Sequence, residues 1–349
     1  MDHNKLNDFL GRAIGDLGAT ITAGGTVIGH RLGLYAALAA RPASPEELAA
    51  QTDCDTRYVT EWLRGQAAGG YVHYDTESET YSLTEEQAFA LANPHGGMYI
   101  PGGFVAALGA LRAIDAITDA FRTGSGVGWD QHDSEVMVGT DLFFRPIYLT
   151  SLVPLWIPAL DGMEDRLRAG AYVIDVGCGL GASTVLLAQH YPNSHFVGSD
   201  YHADSIEWAR KRAADAGVAD RVSFEVASAQ TFSGTGYDLA TTFDCLHDLG
   251  DPLGAAAHIR EALAPDGVWM IVEPNAADHA VANFNPVGRI YYGFSTFVCI
   301  PNAKSQDGGT ALGAQAGPTA VRRVVTDAGF GRLRQAAETP FNIVYEAKP

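Results

Sequence analysis

The sequence is poor in cysteine, and its few cysteines are scattered. Only 4 of the 349 residues are Cys, and no two of them form a C-x-x-C pair. Zinc sites and disulfide frameworks need closely spaced or regularly paired cysteines. We therefore expect reduced thiols and a functional site without a metal. The four positions are Cys54, Cys178, Cys245 and Cys299.

Basic residues are also scarce. The chain has 23 Lys and Arg against 41 Asp and Glu, a formal net charge of −18. Affinity for nucleic acids comes largely from neutralisation of phosphates by Lys and Arg. The composition therefore predicts neither nucleic acids nor anionic membranes as partners.

Long apolar runs are missing as well. No run approaches the roughly 20 residues of a membrane span, and the polar start from Met1 to Asp8 does not resemble a signal peptide. The sequence predicts a soluble, cytoplasmic protein.

What the sequence does contain is a glycine turn around which its second half is organised. The apolar run Tyr172 to Val176 predicts a strand, and helical residues resume at Thr184. Between them stand Gly177, Gly179 and Gly181. Because glycine has no Cβ, a ligand can lie against the backbone there, and the first turn of the helix offers unpaired N–H donors. The turn predicts a ligand cradle.

An acid follows this turn at the distance of one βαβ unit. Asp200 ends a second apolar run, His195 to Ser199, and a carboxylate there can accept both hydroxyls of a ribose. Dinucleotide-binding turns use the same physics, so the glycines alone do not choose the ligand. Here the pattern is G-x-G-x-G, with Asp175 two positions before the first glycine.

That pattern resembles the first motif of class I S-adenosylmethionine-dependent methyltransferases, rather than the G-x-G-x-x-G that holds the pyrophosphate of NAD. The segment Leu263 to Glu273, with its Pro-Asp-Gly strand entry, is similar to the same family. The resemblance implies S-adenosylmethionine as cofactor. Ser228 departs from the family, because many relatives carry an acid near the adenine amine. The implied cofactor residues are Asp175, Gly177, Gly179, Gly181, Asp200, Tyr201, Ser228, Ala229, Gln230 and Phe243.

From Tyr172 onward, apolar strands and amphipathic helices alternate, which predicts a parallel sheet covered on both faces. The fold class expected is α/β, with a Rossmann-like, doubly wound methyltransferase core. The segment Val281 to Gly317 interrupts the alternation and is long enough to suggest a function. The predicted strands are Tyr172 to Val176, His195 to Ser199, Val222 to Val226, Leu239 to Thr242 and Val268 to Val272, and the segments Arg332 to Glu338 and Phe341 to Glu346 form a closing hairpin.

The first part of the chain predicts a mainly helical winged-helix domain. We expect two helices in Lys5 to Ala40, separated at Gly24-Gly25, then helices capped by Ser44 and Asp55 and a short β-hairpin. Winged helices often bind DNA, but residues 1–95 hold 6 basic and 13 acidic residues. Packing or homodimerisation through the first helices is therefore favoured over DNA binding.

A helical region joins the two parts. We expect a helix over Phe104 to Phe121, a flexible loop at Gly124 to Gly128 that could act as a lid, and a helix over Asp141 to Leu160. The predicted domains are residues 1–95 (winged helix and dimerisation), 96–165 (helical linker and lid) and 166–349 (methyltransferase).

His247 is the candidate catalytic base. It follows the fourth predicted sheet strand, at the edge where ligands of doubly wound folds bind, and imidazole can accept a proton near neutral pH. The pair His247-Asp248 is similar to the His-Asp of small-molecule O-methyltransferases with an N-terminal winged-helix dimerisation domain, in which that His is the general base. We expect Asp248 or a backbone carbonyl to hold its ring.

The expected reaction is methyl transfer to a small, flat or apolar aromatic acceptor, with O-methylation favoured and N- or C-methylation open. Two alternatives are a ligand-sensing winged-helix regulator and a protein that binds the cofactor without transferring methyl. The candidate acceptor residues are Trp129, His132, Phe144, Tyr148, Asn285, Arg289 and Tyr292.

Overall fold

A computed structural model describes residues 1–349, which divide into two compact units. Unit 1 comprises residues 1–108 and 138–147, and unit 2 comprises residues 109–137 and 148–349. The predicted linker region thus contributes to both units, and the predicted boundaries at 95 and 165 stay predictions.

Unit 1 is mainly helical and contains one small hairpin. An isolated bridge from Ala43 to Tyr81 extends the hairpin, as expected of a wing. Its elements are α1 (His3–Arg31), α2 (Leu34–Ala40), α3 (Pro45–Thr52), α4 (Thr56–Ala68), β1 (His73–Asp75), β2 (Thr80–Ser82), α5 (Glu85–Ala92) and α6 (Ile100–Leu111). Unit 1 includes α6 only as far as Leu108.

The predicted helix break at Gly24-Gly25 is wrong. The first helix, α1, runs on to Arg31, and the chain turns at Gly33, whose φ is 69°. Glycine often interrupts a helix, but in α1 glycine allows close packing: a Cβ on Gly29 would lie 2.6 Å from both Trp62 and Tyr35. The caps at Ser44 and Asp55 are present as predicted.

The helices after unit 1's hairpin also differ from the prediction. The expected helix over Phe104 to Phe121 is two helices, because the chain leaves helical geometry at Arg112-Ala113. The stretch Glu135–Trp156 is continuous and, by length and composition alone, apolar enough to cross a membrane, with 33% of its most apolar window buried. The expectation that no segment reaches that length is wrong for this stretch, although a core helix passes the same test.

Unit 2 contains a seven-stranded sheet in the order β5-β4-β3-β6-β7-β9-β8, in which β3 to β7 are parallel and β9 is antiparallel. The predicted strands and closing hairpin are confirmed. The strands are β3 (Tyr172–Val176), β4 (His195–Asp200), β5 (Val222–Val226), β6 (Tyr237–Phe243), β7 (Leu263–Pro274), β8 (Arg332–Glu338) and β9 (Asn342–Lys348).

Helices flank this sheet, and the segment Val281 to Gly317 is itself largely helical. Strand β3 lies between β4 and β6, where the strand order reverses, which is the usual ligand position in doubly wound sheets. The helices of unit 2 are α7 (Ile114–Thr123), the two ends of α8 (Glu135–Ser151, continued by a π-helix, Leu152–Trp156), α9 (Met163–Ala169), α10 (Ala182–His190), α11 (Ala203–Asp215), α12 (Pro252–Ala262), α13 (Pro286–Phe294, continued by a π-helix, Ser295–Cys299), α14 (Ile300–Ser305) and α15 (Gly317–Asp327). Residues 138–147, the middle of α8, belong to unit 1.

Short 3₁₀ turns complete unit 2. They lie at Trp129–Gln131, Leu246–Asp248 and Ala280–Asn283. The predicted lid loop packs against α14, since the Val127 amide donates to the Pro301 carbonyl at 2.9 Å. Movement of this loop as a lid stays a prediction.

Candidate cofactor and acceptor site

The glycine turn connects β3 to α10 at the reversal point of the sheet. Gly177, Gly179 and Gly181 all have positive φ, at 73°, 51° and 73°. A Cβ on Gly177 would lie 2.3 Å from the Cys245 sulfur, whereas a Cβ on Gly179 would meet nothing within 4 Å. The turn is therefore packed on its inner side and open at Gly179, as a cradle for a ligand requires.

Asp175 anchors this turn through side-chain hydrogen bonds. Its carboxylate is 1% exposed and accepts hydrogen bonds from the hydroxyls of Ser183, Thr184 and Thr241 at 2.7, 2.6 and 2.8 Å. These bonds tie the start of α10 to β3 and β6. Asp175 thus positions the cradle, and a direct contact of Asp175 with cofactor stays a prediction.

Asp200 faces the cradle from the end of β4. Its Oδ2 accepts from the Gly179 amide at 3.0 Å, and its Oδ1 accepts from the His202 amide at 2.9 Å. Burial raises the pKa of Asp200, and these amide bonds oppose that rise. The structure thus brings the predicted ribose acid to the open glycine.

The remaining predicted cofactor residues lie on loops of the same sheet edge. The Tyr201 hydroxyl donates to Asn302 Oδ1 at 2.7 Å. Past β5, Ser228 pairs with the Thr231 hydroxyl, and Gln230 Nε2 donates to the Asp251 carbonyl at 3.0 Å. Ala229 is buried beside them.

An aromatic cluster lies where β6 ends. Phe243 stacks on Trp156 with a centroid separation of 6.4 Å and contacts Tyr148 at 5.2 Å. All three rings are buried. The cluster supplies an apolar surface next to the chain segment that carries His247.

His247 is held by Glu273, a residue that the sequence analysis did not assign to the site. Its Nδ1 lies 2.7 Å from Glu273 Oε2, and Glu273 Oε1 also accepts from the Leu246 amide at 3.0 Å. Asp248, which the sequence predicts to hold the ring, has its Oδ1 3.2 Å from the other nitrogen, Nε2, so the ring lies between two carboxylates. The sequence did hold a signal, namely an acid at the carboxyl end of β7, the strand adjacent to β6.

The two carboxylates control the charge of His247. Burial acts to lower the pKa of this imidazole, but Glu273 and Asp248 outweigh it and raise the pKa well above its usual value. A carboxylate on Nδ1 also fixes the ring orientation and, in the neutral imidazole, favours the tautomer with the proton on Nδ1. Nε2 is then the nitrogen that can accept a proton.

A thiol completes this buried group. The side-chain donor atoms of His247, Asp248 and Cys299 lie within 4.8 Å of one another. Burial raises the pKa of Cys299 to about 12, so the thiol stays protonated near neutral pH. Such spacing can also hold a metal ion, and the expectation of a site without metal stays a prediction.

The other predicted acceptor residues are dispersed. Trp129 packs beside Val136 and Val298 in unit 2. His132 is 8% exposed, and neither ring nitrogen has a hydrogen-bond partner; burial lowers its pKa. Phe144 belongs to unit 1, where its ring meets Phe143 edge-on.

Three predicted acceptor residues lie on or beside α13. Asn285 caps this helix, since its Oδ1 accepts from the Gly288 amide at 2.9 Å and its Nδ2 donates to the Ala282 carbonyl at 3.2 Å. Tyr292 packs near Phe284 with ring centroids 6.4 Å apart, and Arg289 is exposed on the helix. Their roles toward an acceptor stay predictions.

Comparison with known families agrees with this geometry. Residues 167–311 match a family profile described as "Methyltransferase domain". The chain carries a methyltransferase domain. Residues 20–93, ahead of the methyltransferase domain, match the "Rv2258c-like winged HTH domain", so the predicted family resemblance and fold class are both confirmed.

Solved structures share this fold over nearly the whole chain. Human N-acetylserotonin methyltransferase in complex with S-adenosylmethionine has a TM-score of 0.69 at 16% identity and covers 97% of each chain. An O-methyltransferase of neocarzinostatin biosynthesis, in complex with S-adenosylhomocysteine and 1,4-dihydroxy-2-naphthoic acid, has a TM-score of 0.59 at 18% identity, over 97% of this chain and 98% of that one.

Relatives by sequence match a shorter region. A trans-aconitate 2-methyltransferase of Deinococcus radiodurans is 34% identical over 32% of this chain and 42% of its own length. Across curated relatives of this kind, the matched region spans between 24% and 60% of the relative's length.

Proposed function

We propose that this protein transfers the methyl group of S-adenosylmethionine to a hydroxyl of a small aromatic acceptor, with His247 as general base. The observation that carries the proposal is the buried Glu273–His247 pair, in which His247 follows β6 and Glu273 lies at the carboxyl end of β7, on the same sheet edge as the open glycine cradle. The neighbours crystallised with S-adenosylmethionine or S-adenosylhomocysteine support the choice of cofactor.

The residues of the cradle fit this cofactor. Gly179 leaves open space where a side chain would stand, and Asp200 offers carboxylate oxygens for ribose hydroxyls. Tyr201 lies on the loop after β4, and Ser228, Ala229 and Gln230 lie on the loop after β5, in the region proposed for the adenine. When bound, S-adenosylmethionine supplies an electrophilic sulfonium methyl.

The chain's own contribution to chemistry is the handling of one proton. With Nδ1–H donated to Glu273, Nε2 of neutral His247 can remove the proton of the acceptor hydroxyl as its oxygen attacks the methyl. Both neighbouring carboxylates then stabilise the imidazolium that forms. The aromatic cluster of Tyr148, Trp156 and Phe243 provides an apolar surface for a flat acceptor.

Partners and location belong to the same proposal. Several large apolar side chains of α1 are exposed, including Ile14 at 69%, Leu17 at 64% and Ile21 at 75%, which supports a homodimer formed through this helix. On α4, Arg57 pairs with Glu61, and the acid excess of residues 1–95 supports a role without nucleic acid. The net charge of −18 is consistent with a cytoplasmic protein that binds no anionic membrane.

The experiment separates cofactor binding from proton transfer. Asp200→Asn should weaken S-adenosylhomocysteine binding in calorimetry by about 1–3 kcal/mol, because buried hydroxyls lose a charged acceptor. His247→Gln should leave that affinity nearly unchanged and lower the rate of methyl transfer, measured over a panel of phenols, by roughly 10²- to 10⁴-fold.

A contrary pattern would reject the proposal in a defined way. Tight NAD binding without S-adenosylmethionine binding would exclude the cofactor. Cofactor binding with no methyl transfer to any phenol, amine or activated ring would favour the regulator or the non-catalytic binder. A wild-type rate for His247→Gln would remove His247 as the base.

A further inference from the structure

Two buried oxygen atoms near His247 have no hydrogen-bond partner. They are Oδ2 of Asp244 and Oδ1 of Asn342. The Asn342 side chain is 0% exposed. Buried polar atoms are nearly always paired in proteins, and both of these atoms can accept a hydrogen bond. The missing partner must therefore be a hydrogen-bond donor.

Asp244 has an uncommon backbone conformation, and one of its carboxylate oxygens is bonded to Asn342. It directly follows β6 and has a φ of 48°, a region that side-chain-bearing residues rarely adopt. Its amide donates to the Val272 carbonyl at 2.8 Å, and its Oδ1 accepts from Asn342 Nδ2 at 2.8 Å. Strain of this kind persists where surrounding contacts fix it, often at functional sites.

Asn342 begins β9 and pairs with Pro274, next to Glu273 on β7. Its backbone amide donates to the Thr339 hydroxyl at 2.9 Å. Nδ2 donates to Asp244, so the amide oxygen is the polar side-chain atom of Asn342 that has no partner, and it can only accept. Asp244 and Asn342 thus present two unpaired acceptors on the sheet edge that carries His247.

Acids outnumber basic side chains in this group. Asp244, Asp248 and Glu273 are three acids with a single imidazole among them, and no Lys or Arg forms an ion pair with any of the three. Burial, with Glu273 next in size, raises the pKa of Asp244 well above its usual value. A buried cation would remove this penalty.

We propose that Asp244 and Asn342 bind a protonated amine of the methyl acceptor, so that the acceptor is a hydroxylated amine rather than a neutral phenol. An ammonium group has three donors and no acceptor, which matches a site that offers only acceptors. A neutral hydroxyl brings one donor and no charge. This inference rests on the proposed function, because the amine belongs to the same acceptor whose hydroxyl His247 deprotonates.

The test uses pairs of probes that differ only in the amine. Tyramine and 4-ethylphenol, and dopamine and 4-ethylcatechol, are titrated calorimetrically into full-length protein saturated with S-adenosylhomocysteine. The amine of each pair should bind at least 10-fold more tightly. Asp244→Asn should abolish this preference while leaving the neutral probes unchanged, because Asn tolerates positive φ but carries no charge. Asp327→Asn, an exposed acid of α15, should change nothing.

Several results would overturn the inference while leaving the proposed function standing. One such result is equal affinity for the two probes of each pair. Another is a preference for the amine probes that is unchanged in Asp244→Asn. If Asp244→Asn fails to fold, Asn342→Leu removes a neighbouring acceptor and should weaken amine binding alone. Methylation of the amine nitrogen itself would also overturn it, since an anchored ammonium is not a nucleophile. The calorimetric test measures binding without methyl transfer. A failure of the proposed methyl transfer would therefore not change its result.

Discussion

At the scale of single residues, the site depends on which acid touches which nitrogen of His247. Sequence reasoning found His247 and its neighbour Asp248, but adjacency along the chain did not reveal the contact at Nδ1. Glu273 makes that contact at 2.7 Å from a different strand, 26 positions away. The pairing exists because β6 and β7 are parallel neighbours whose carboxyl ends meet at one edge.

This contact predicts a specific pH dependence. The pKa of His247 is raised by Glu273 and Asp248 against the lowering effect of burial, and only the neutral imidazole can act as a base. The methyl-transfer rate should therefore rise with pH, with its midpoint above the ordinary pKa of about 6.5. Glu273→Gln removes one charge, so the midpoint should move to lower pH while the plateau rate falls.

The measurement is kcat/KM against pH for wild type, Glu273→Gln and the control Glu261→Gln, an exposed residue of α12. The control should follow the wild-type profile. If the midpoint of Glu273→Gln stays where it is in wild type, Glu273 does not set the protonation of His247. A merely structural role would lower the rate at every pH without moving the midpoint.

At the scale of elements, α1 shows how one residue type can have two roles. Gly24 and Gly29 are five positions apart in the same helix. A Cβ on Gly24 would meet nothing within 4 Å, whereas one on Gly29 would lie 2.6 Å from Trp62 Cζ2 and Tyr35 Cε2. Gly29 allows α1 to approach two aromatic rings, whereas no neighbouring group requires a glycine at position 24.

Alanine substitutions should therefore have opposite effects in the two places. Gly29→Ala should lower the free energy of unfolding by about 1–3 kcal/mol, since the buried rings must move. Gly24→Ala should raise it by up to about 1 kcal/mol, because alanine is the better helix former. Urea unfolding followed by tryptophan fluorescence compares them. Equal destabilisation by both would show that neither ring contact decides the effect.

At the scale of the whole molecule, the chain combines a large acid excess with an uncovered apolar helix. Leu10, Ile14, Leu17 and Ile21 are exposed at 43%, 69%, 64% and 75%. Their spacing of three and four residues places them on one face of α1, as in a helix that pairs with another helix. A second copy of the chain is the partner that we propose for this face.

Charges on that face should separate the copies. Ile14→Glu combined with Leu17→Glu should weaken the dimer by about 2 kcal/mol or more, the effect of losing central apolar contacts. Arg12→Glu changes the net charge by the same amount on the opposite side of the helix and should leave the dimer intact. Light scattering over a concentration series distinguishes them. A monomeric wild type, or a dimer unaffected by both changes, would place the assembly elsewhere or exclude it.

The sequence by itself determined those features that are local or repeated. The strand, glycine turn and helix from Tyr172 onward follow from periodicity and from the backbone freedom of glycine. The cofactor cradle with Asp200 follows from the same local pattern. The caps at Ser44 and Asp55 were equally readable, because a helix cap involves residues only a few positions apart.

Only the tertiary structure decided which distant groups meet. It placed Glu273 on His247 and joined Asp244 to Asn342 across 98 positions. It also let α1 continue through Gly24-Gly25, since the Trp62 indole donates to the Gly25 carbonyl at 2.7 Å and Gly29 packs against Trp62 and Tyr35, contacts that outweigh the weak helix propensity of glycine. Propensity and spacing act along the chain, whereas charge compensation and close packing depend on the strand order and on rings contributed by other helices.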